Sequence, residues 1–298
     1  MSKYYTRACN FYYGKSSVEM LKKNKAFPLH GNNELSFDTV EILSRKKKIK
    51  VNVKNINSLS INLKKKIKED LKKITKKKSF CKISLKEPLL IAILNLTPDS
   101  FSDGGQYSQI SSALRRVKSL LKVGCKIIDI GGESTRPGSK DVDKDIEWKR
   151  IKKLLKKIRN YKFLLSLDTR KTFIMYKALR YKLNIVNDVS CFSYDTKTID
   201  FLVNTKLPLI INHSKGEPKM MQRKPSYKNV LLEIYDFFEK KIEFLRKAGI
   251  KHNNIILDPG IGFGKNLKHN ITIMNNISIF HSLGFPVMLG SSRKRFIK

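Results

Sequence analysis

A chain of 298 residues, 41% of them hydrophobic, can bury a sizeable core, and its four Cys, at 9, 81, 125 and 191, show no paired metal-ligand spacing. No apolar run approaches the ~18 residues of a membrane helix, and the opening MSKYYTRACNFYYGKSS has no signal-peptide core, so a reduced, cytoplasmic protein without a membrane segment is expected. The net charge of +37 is spread along the chain, with 23 Lys+Arg against 7 Asp+Glu in residues 1–88 and 39 against 18 in the rest, which disfavours a dedicated nucleic-acid arm.

Residues 1–88 read as a separate basic extension, α or α+β. Residues 17–25 can form a helix, 34–44 a strand or helix, and 60–78 a lysine-studded helix whose runs at 64–66 and 76–78 read as a solvated face. From residue 89 a second region begins. Short runs of Ile, Leu and Val at 89–94, 126–130, 163–167, 184–186, 207–211, 254–257 and 286–289 predict parallel strands covered on both faces. Amphipathic stretches at 111–123, 145–158 and 229–248 predict helices between them, and the helix joining the fourth and fifth strands is left open. Such alternation specifies a parallel α/β fold, either a barrel or a doubly wound sheet. Polar and glycine residues gather just after most of the strands, as in a barrel whose site is built from many strand ends. No glycine-rich turn follows the first strand, where a doubly wound dinucleotide fold would carry one. The barrel is favoured.

The loop after the first strand, NLTPDSFSDGG at 95–105, can neither extend a strand nor start a helix. Closing over a ligand, it could hold a hard cation through Asn95, Asp99 or Asp103; an ordinary turn with capping acids is the alternative. The loop GGESTRPGS at 131–139 joins Arg136 to hydroxyls and free amides, which suits a phosphate or diphosphate. Asp168, Asn187 and Asp258 close the third, fourth and sixth strands. Each alone could cap a helix or pair with Arg170, Lys171 or Lys265, but three converging ones match a flat heterocycle carrying an amino group beside a ring N–H. DPGIGFGK at 258–265 resembles a dinucleotide fingerprint only superficially. Gly290-Ser291-Ser292-Arg293-Lys294-Arg295 places cations at a helix start, an anion site.

Together with DTRK at 168–171, NDVS at 187–190 and GSSRK at 290–294, these segments resemble the dihydropteroate synthase family over about residues 88–298. The resemblance implies a (β/α)8 TIM-type barrel, here expected to lack its last strand because only eight residues follow Gly290. It implies condensation of (7,8-dihydropterin-6-yl)methyl diphosphate with 4-aminobenzoate, assisted by Mg2+, in a homodimer. By the same resemblance Asp168, Asn187, Asp258 and Lys294 hold the pterin, while Asn95, Thr135, Arg136 and Arg293 serve the diphosphate. Asn95 also meets the metal. Phe101, Pro137, Phe263 and Lys294 shape the p-aminobenzoate pocket, and Lys294, Arg293, Asp99 and Asp103 are the expected catalytic residues.

Two segments depart from the family pattern. Asn212-His213-Ser214 stands where Met-His-Met is usual, and Arg295 replaces the Ser after the signature Lys. The Arg-x-His diphosphate motif expected on the last strand is not in the sequence. A non-catalytic pterin-binding relative, a folate-dependent methyltransferase and a nucleic-acid-binding front region are the competing readings; the intact TPDSFSDGG and STRPGS loops disfavour the methyltransferase.

Overall fold

The computed structural model describes residues 3–97, 105–134, 139, 141–215, 225–292 and 294, with backbone alone over 105–108. Its chain divides into two compact units. One comprises Met1–Pro88, Ser226–Glu243 and Asn266–Lys298; the other comprises Leu89–Pro225 and Phe244–Lys265.

The first unit opens with β1 (Tyr5–Tyr13), α1 (Gly14–Lys22), β2 (Phe27–Leu29), β3 (Asn32–Leu43) and β4 (Lys48–Asn52). A 3-10 turn (Val53–Ser58) leads to α2 (Ile61–Thr75), and the short strands β5 (Ser79–Phe80) and β6 (Ile83–Ser84) follow. β3 is the spine of an antiparallel sheet: β1 lies along one side, while β2 and β4 share the other. The region left between strand and helix by its sequence is therefore a strand. β1 is not predicted, because Asn10 sits at φ +53° in its middle and breaks the apolar alternation. In α2 the apolar residues fall at Ile67, Leu71 and Ile74, helical spacing that buries one stripe against Ala8, Phe37, Val40 and Ile42. Of the run at 64–66 only Lys65 is fully exposed, as expected; Lys64 and Lys66 are half-buried, and Lys66 pairs with Asp70 at 2.6 Å, while Lys68 and Lys72 face solvent.

The second unit is built on six parallel strands: β7 (Ile91–Asn95), β8 (Ile127–Gly131), β9 (Leu164–Asp168), β10 (Leu183–Asp188), β11 (Leu209–Asn212) and β12 (Ile255–Asp258). Between them run α3 (Gly105–Lys122), α4 (Lys144–Ile158), α5 (Thr172–Leu179), α6 (Thr198–Thr205) and α7 (Val230–Lys247). α6 answers the open question about the fourth crossover. α4 starts where Asp143 accepts from the Asp145 and Ile146 amides, and it buries Trp148, Ile151, Leu155 and Ile158. Each strand pairs with its predecessor, from β7 to β12, without a reversal of order. A doubly wound sheet must reverse at a switch point; a sequential parallel wall is the geometry of a TIM-type barrel.

The first unit is completed by the early part of α7, by α8 (Leu267–Asn275) and by a 3-10 helix (Ile277–Leu283). Tyr5 packs edge-on against Tyr235, and Ser278 donates to the Ala8 carbonyl at 2.8 Å. Two expectations are corrected here. Lys78 is buried rather than solvated, donating to the carbonyls of Lys73 (2.9 Å) and Gly284 (2.6 Å), and burial lowers its pKa to about 8. The seventh strand expected at 286–289 is only an isolated bridge at Val287. Pro286 has no N–H to give a ladder, and Gly284, at φ +95°, turns the chain just before it.

Candidate active site

The parallel register sets one row of polar side chains along the carboxyl ends of the strands. Asn95 lies opposite Gly131, Gly131 opposite Asp168, and Asp168 opposite Asn187; further along, Asn212 lies opposite Asp258. Gly131 is what permits the first contact. A Cβ there would come within 3.0 Å of the Asn95 Oδ1 and 3.4 Å of the Asp168 Cβ, so any side chain would push the two strand ends apart.

Asp168 is buried, and among the described residues no donor reaches its carboxylate. Burial, then the neighbouring carboxylates of Asp129, Asp188, Glu147 and Glu133, raise its pKa well above the usual range. Sequence reasoning misses Asp129, yet it is central. Its Oδ1 accepts from Ser166 Oγ at 2.5 Å and its Oδ2 from Asn187 Nδ2 at 2.9 Å. Burial raises its pKa against the pull of those two donors. The available signal is one acid inside the apolar run Ile127-Ile128-Asp129-Ile130, since a carboxylate on a strand buried along its whole length needs partners.

Asn187 spends its amide nitrogen on Asp129, and its Oδ1 is buried without a partner. Asn212 behaves alike: Nδ2 donates to Asp258 Oδ2 at 3.2 Å, and Oδ1 is buried without a partner. Asn95 Oδ1 is a third such oxygen. Asp258 Oδ1 accepts from the Gly260 amide at 2.8 Å. Gly260 has φ +66°, and a Cβ there would lie 2.0 Å from the His213 carbonyl, so only glycine fits this turn. Lys265 staples the same turn by donating to the carbonyls of His213, Gly260 and Phe263 at 2.8–3.1 Å. It also reaches His213 Nδ1 at 3.0 Å. Burial and the adjacent Lys265 hold the His213 imidazole neutral, far below its ordinary pKa. Phe263 is half-buried beside this staple.

Asp188 shapes its own loop, accepting from the Ser190 amide (2.7 Å), Ser190 Oγ (2.6 Å) and the Phe192 amide (3.0 Å). Burial raises its pKa to about 6. Beneath the row, Lys171 bridges Glu133 and Glu147, each at 2.6 Å, and Arg170 joins Glu133 (2.7 Å) to Asp141 (3.1 Å). Arg170 and Lys171 thus have acidic partners of their own. The structure brings Asn95, Asp168, Asn187 and Asp258 into the second unit. Lys294 belongs to the first unit and is half-buried. Asp99, Phe101, Asp103, Thr135, Arg136, Pro137 and Arg293 lie outside the described residues.

Among the described residues the Asp168 carboxylate and the Asn95, Asn187 and Asn212 side-chain oxygens find no donor. The family described as "Pterin binding enzyme" matches residues 91–298. The dihydropteroate synthase of Haemophilus influenzae is 38% identical over 216 residues, covering 72% of this chain and 78% of that protein. The one from Neisseria meningitidis serogroup C is 41% identical over 220 residues, covering 72% and 77%. The chain belongs to the dihydropteroate synthase family. It is therefore grouped with transferases of folate biosynthesis. Among solved structures, the Yersinia pestis dihydropteroate synthase in complex with a sulfonamide drug superposes with a TM-score of 0.68 at 35% identity, over 74% of this chain and 81% of that one. The Xanthomonas albilineans dihydropteroate synthase in complex with 7,8-dihydropteroate gives 0.64 at 29% identity, over 72% and 76%. The first 90 residues lie outside the family match.

Proposed function

We propose that the strand-end row binds (7,8-dihydropterin-6-yl)methyl diphosphate and that the chain condenses it with 4-aminobenzoate to give 7,8-dihydropteroate and diphosphate. The observation that carries this is the imbalance of the pocket: among the described residues the Asp168 carboxylate and the Asn187 oxygen find no donor, while the nearby Asn amide nitrogens already donate to carboxylates. The amino-pyrimidinone edge of a pterin, with its exocyclic amino group and ring N–H, is the complementary set of donors. Asp258 takes the ring N–H with one amino N–H, Asp168 and Asn187 hold the rest of the pterin, and by family likeness Lys294 also serves it. A dissociative displacement suits such a site. The C–O bond breaks with its electron pair leaving on the diphosphate, and the electron-rich ring spreads the positive charge of the methylene carbon. The amine of 4-aminobenzoate then forms the new N–C bond and loses a proton to solvent. Its nitrogen is nucleophilic at neutral pH, so no strong base is required.

Catalysis in this family is commonly metal-assisted, and Mg2+ is the cation we propose. The residues fit it: the buried, unpartnered Asn95 Oδ1 is a hard oxygen donor. Asp99 and Asp103 would share in holding it. Bound there, the cation supplies charge neutralisation to the departing diphosphate. Thr135, Arg136 and Arg293 would contact the same diphosphate, and Phe101, Pro137 and Phe263 would line the p-aminobenzoate pocket.

The family likeness also supports a cytoplasmic homodimer acting on small molecules, with residues 1–88 as a basic extension of the domain at 89–298. Among the described residues no helix is long and apolar enough to cross a membrane. Turnover of purified chain with pterin diphosphate and 4-aminobenzoate tests the reading. Dihydropteroate formation is expected, and pterin binding without turnover would instead favour the non-catalytic relative.

A further inference from the structure

Asn212 does two jobs that an apolar residue in its place could not do. It ends β11 directly opposite Asp258 on β12. An ionised carboxylate only accepts, so the 3.2 Å contact to Asp258 Oδ2 fixes which end of the amide is nitrogen. Turning the amide over would set two oxygens against each other. Asp258 Oδ1 is meanwhile held by the Gly260 amide at 2.8 Å. Each carboxylate oxygen thus has a donor behind it, which orients the group.

With its nitrogen committed, Asn212 has its oxygen directed elsewhere. Asn212 is 5% exposed, and Oδ1 is buried with no donor. Gly260 keeps the space beside it clear, because a Cβ there would lie 3.1 Å from that oxygen. The same arrangement recurs one strand earlier, where Asn187 donates to Asp129 and keeps a buried, unpartnered oxygen. Buried polar atoms are ordinarily satisfied. Two neighbouring strands that end in the same Asn-to-Asp grammar, each with an open carbonyl, mark a surface waiting for N–H donors.

We propose that Asn212 is a specificity-determining residue of the pterin pocket: its Nδ2 positions Asp258, and its Oδ1 accepts an N–H from the 2-amino edge of the ligand. The proposal rests on the pterin reading of the site. An exocyclic amino group carries two N–H bonds. A carboxylate that takes one of them together with the ring N–H leaves the other in need of an acceptor, and Asn212 supplies it. A 2-oxo ligand would turn a carbonyl toward that oxygen, acceptor against acceptor. A site built to bond an N–H rejects the analogue lacking it more sharply than an apolar wall does.

The test compares two probes on the full chain by calorimetry, 6-hydroxymethylpterin and its 2-oxo counterpart 6-hydroxymethyl-lumazine. Wild type is expected to prefer the pterin. Asn212→Met should weaken pterin binding about tenfold while changing lumazine binding less than about threefold, the discrimination of one missing hydrogen bond. Should Asn212→Met fail to fold, Asn212→Ser, which keeps a donor for Asp258 but falls short of the ligand, is expected to show the same selective loss. Equal weakening of both ligands would mean that Asn212 only positions Asp258, and no change in either would mean that it only fills space; both overturn the proposal. A wild type that binds neither probe overturns the pterin reading itself, and the proposal with it.

Discussion

Glu133 and Glu147 share Lys171 at 2.6 Å each, whereas Asp168, also buried in the same unit, has no donor among the described residues. Burial presses Lys171 toward neutrality, yet its pKa ends raised because the two acids face it. Burial likewise pushes Glu147 up against the pull of Lys171 and Thr169, and short bonds hold every member of the cluster. At Asp168 nothing opposes burial, and its acidic neighbours add to it. The contrast separates structure from function by the state of the partners. A buried charge that is satisfied internally holds the scaffold, and one that is left open awaits a ligand.

The largest effect comes from breaking the satisfied cluster. Lys171→Met keeps the alkyl stem but strands two buried acids, and removing one partner of a buried pair costs about 3–5 kcal/mol. The urea midpoint should fall accordingly, while the folded fraction keeps pterin affinity within about threefold. A stability change under ~1 kcal/mol would mean that water already reaches the cluster.

Acid sharpens the comparison by acting oppositely on the two units. In the first, His30 and His281 meet edge-on with ring centroids 4.4 Å apart, and His30 Nε2 and His281 Nδ1 are buried without partners. Burial, then Lys78, lowers the His30 pKa from 6.5 to about 4, and burial, then His30 and Lys78, holds His281 well below its ordinary value. Below pH 6.5 the unfolded chain takes up protons that the folded pair refuses, so this contribution is lost as pH falls from about 6.5 toward 4. Asp188, raised to about 6, works the other way, because the fold binds its proton first. His30→Phe isolates the imidazole contribution. Between pH 7 and 5 wild type should lose about 2 kcal/mol more than this variant. Parallel pH profiles would show that His30 is hydrated in the fold.

Breaking the open pocket should cost less stability and more affinity. Asp258→Asn keeps the shape but turns an acceptor into a donor facing the ligand's N–H. Leaving such a pair unsatisfied costs about 1–3 kcal/mol, so calorimetry should show pterin affinity falling about tenfold or more, with a smaller loss of stability than Lys171→Met. Unchanged affinity would make Asp258 a turn-holder like Asp188.

Much of this is legible from the chain alone, for physical reasons. The six parallel strands can be read because burial on both faces demands continuous Ile, Leu and Val. Asp168, Asn187 and Asp258 can be read because they interrupt that apolar text at its ends. Asp129 escapes notice because it lies mid-strand, and its partners Ser166 and Asn187 come from two other strands, so nothing local announces the pairing. The open oxygens of Asn187 and Asn212 are equally invisible, since amide orientation is decided by cross-strand neighbours. β1 is hidden by Asn10, and Lys78 reads as one more surface lysine because the Gly284 carbonyl that binds it lies 206 residues away.

The smallest expected effect is also informative, because it asks whether the excess charge does anything. Lys72 is exposed in the last turn of α2, a short step before the buried Lys78, and the two differ only in whether the core claims them. Lys72→Ala swaps a good helix former for the best one and removes one of 62 Lys+Arg from a chain carrying +37. Among the described residues Lys72 makes no ion pair, and its removal slightly eases mutual repulsion, so stability should change by less than about 0.5 kcal/mol. Retention on immobilised duplex DNA should change as little. Each phosphate that a protein ceases to neutralise lowers the slope of log affinity against log salt by about 0.9, so a variant that drops the slope by a full unit would show Lys72 on a dedicated nucleic-acid face. A destabilisation above ~1 kcal/mol would show instead that this lysine face is packed rather than solvated.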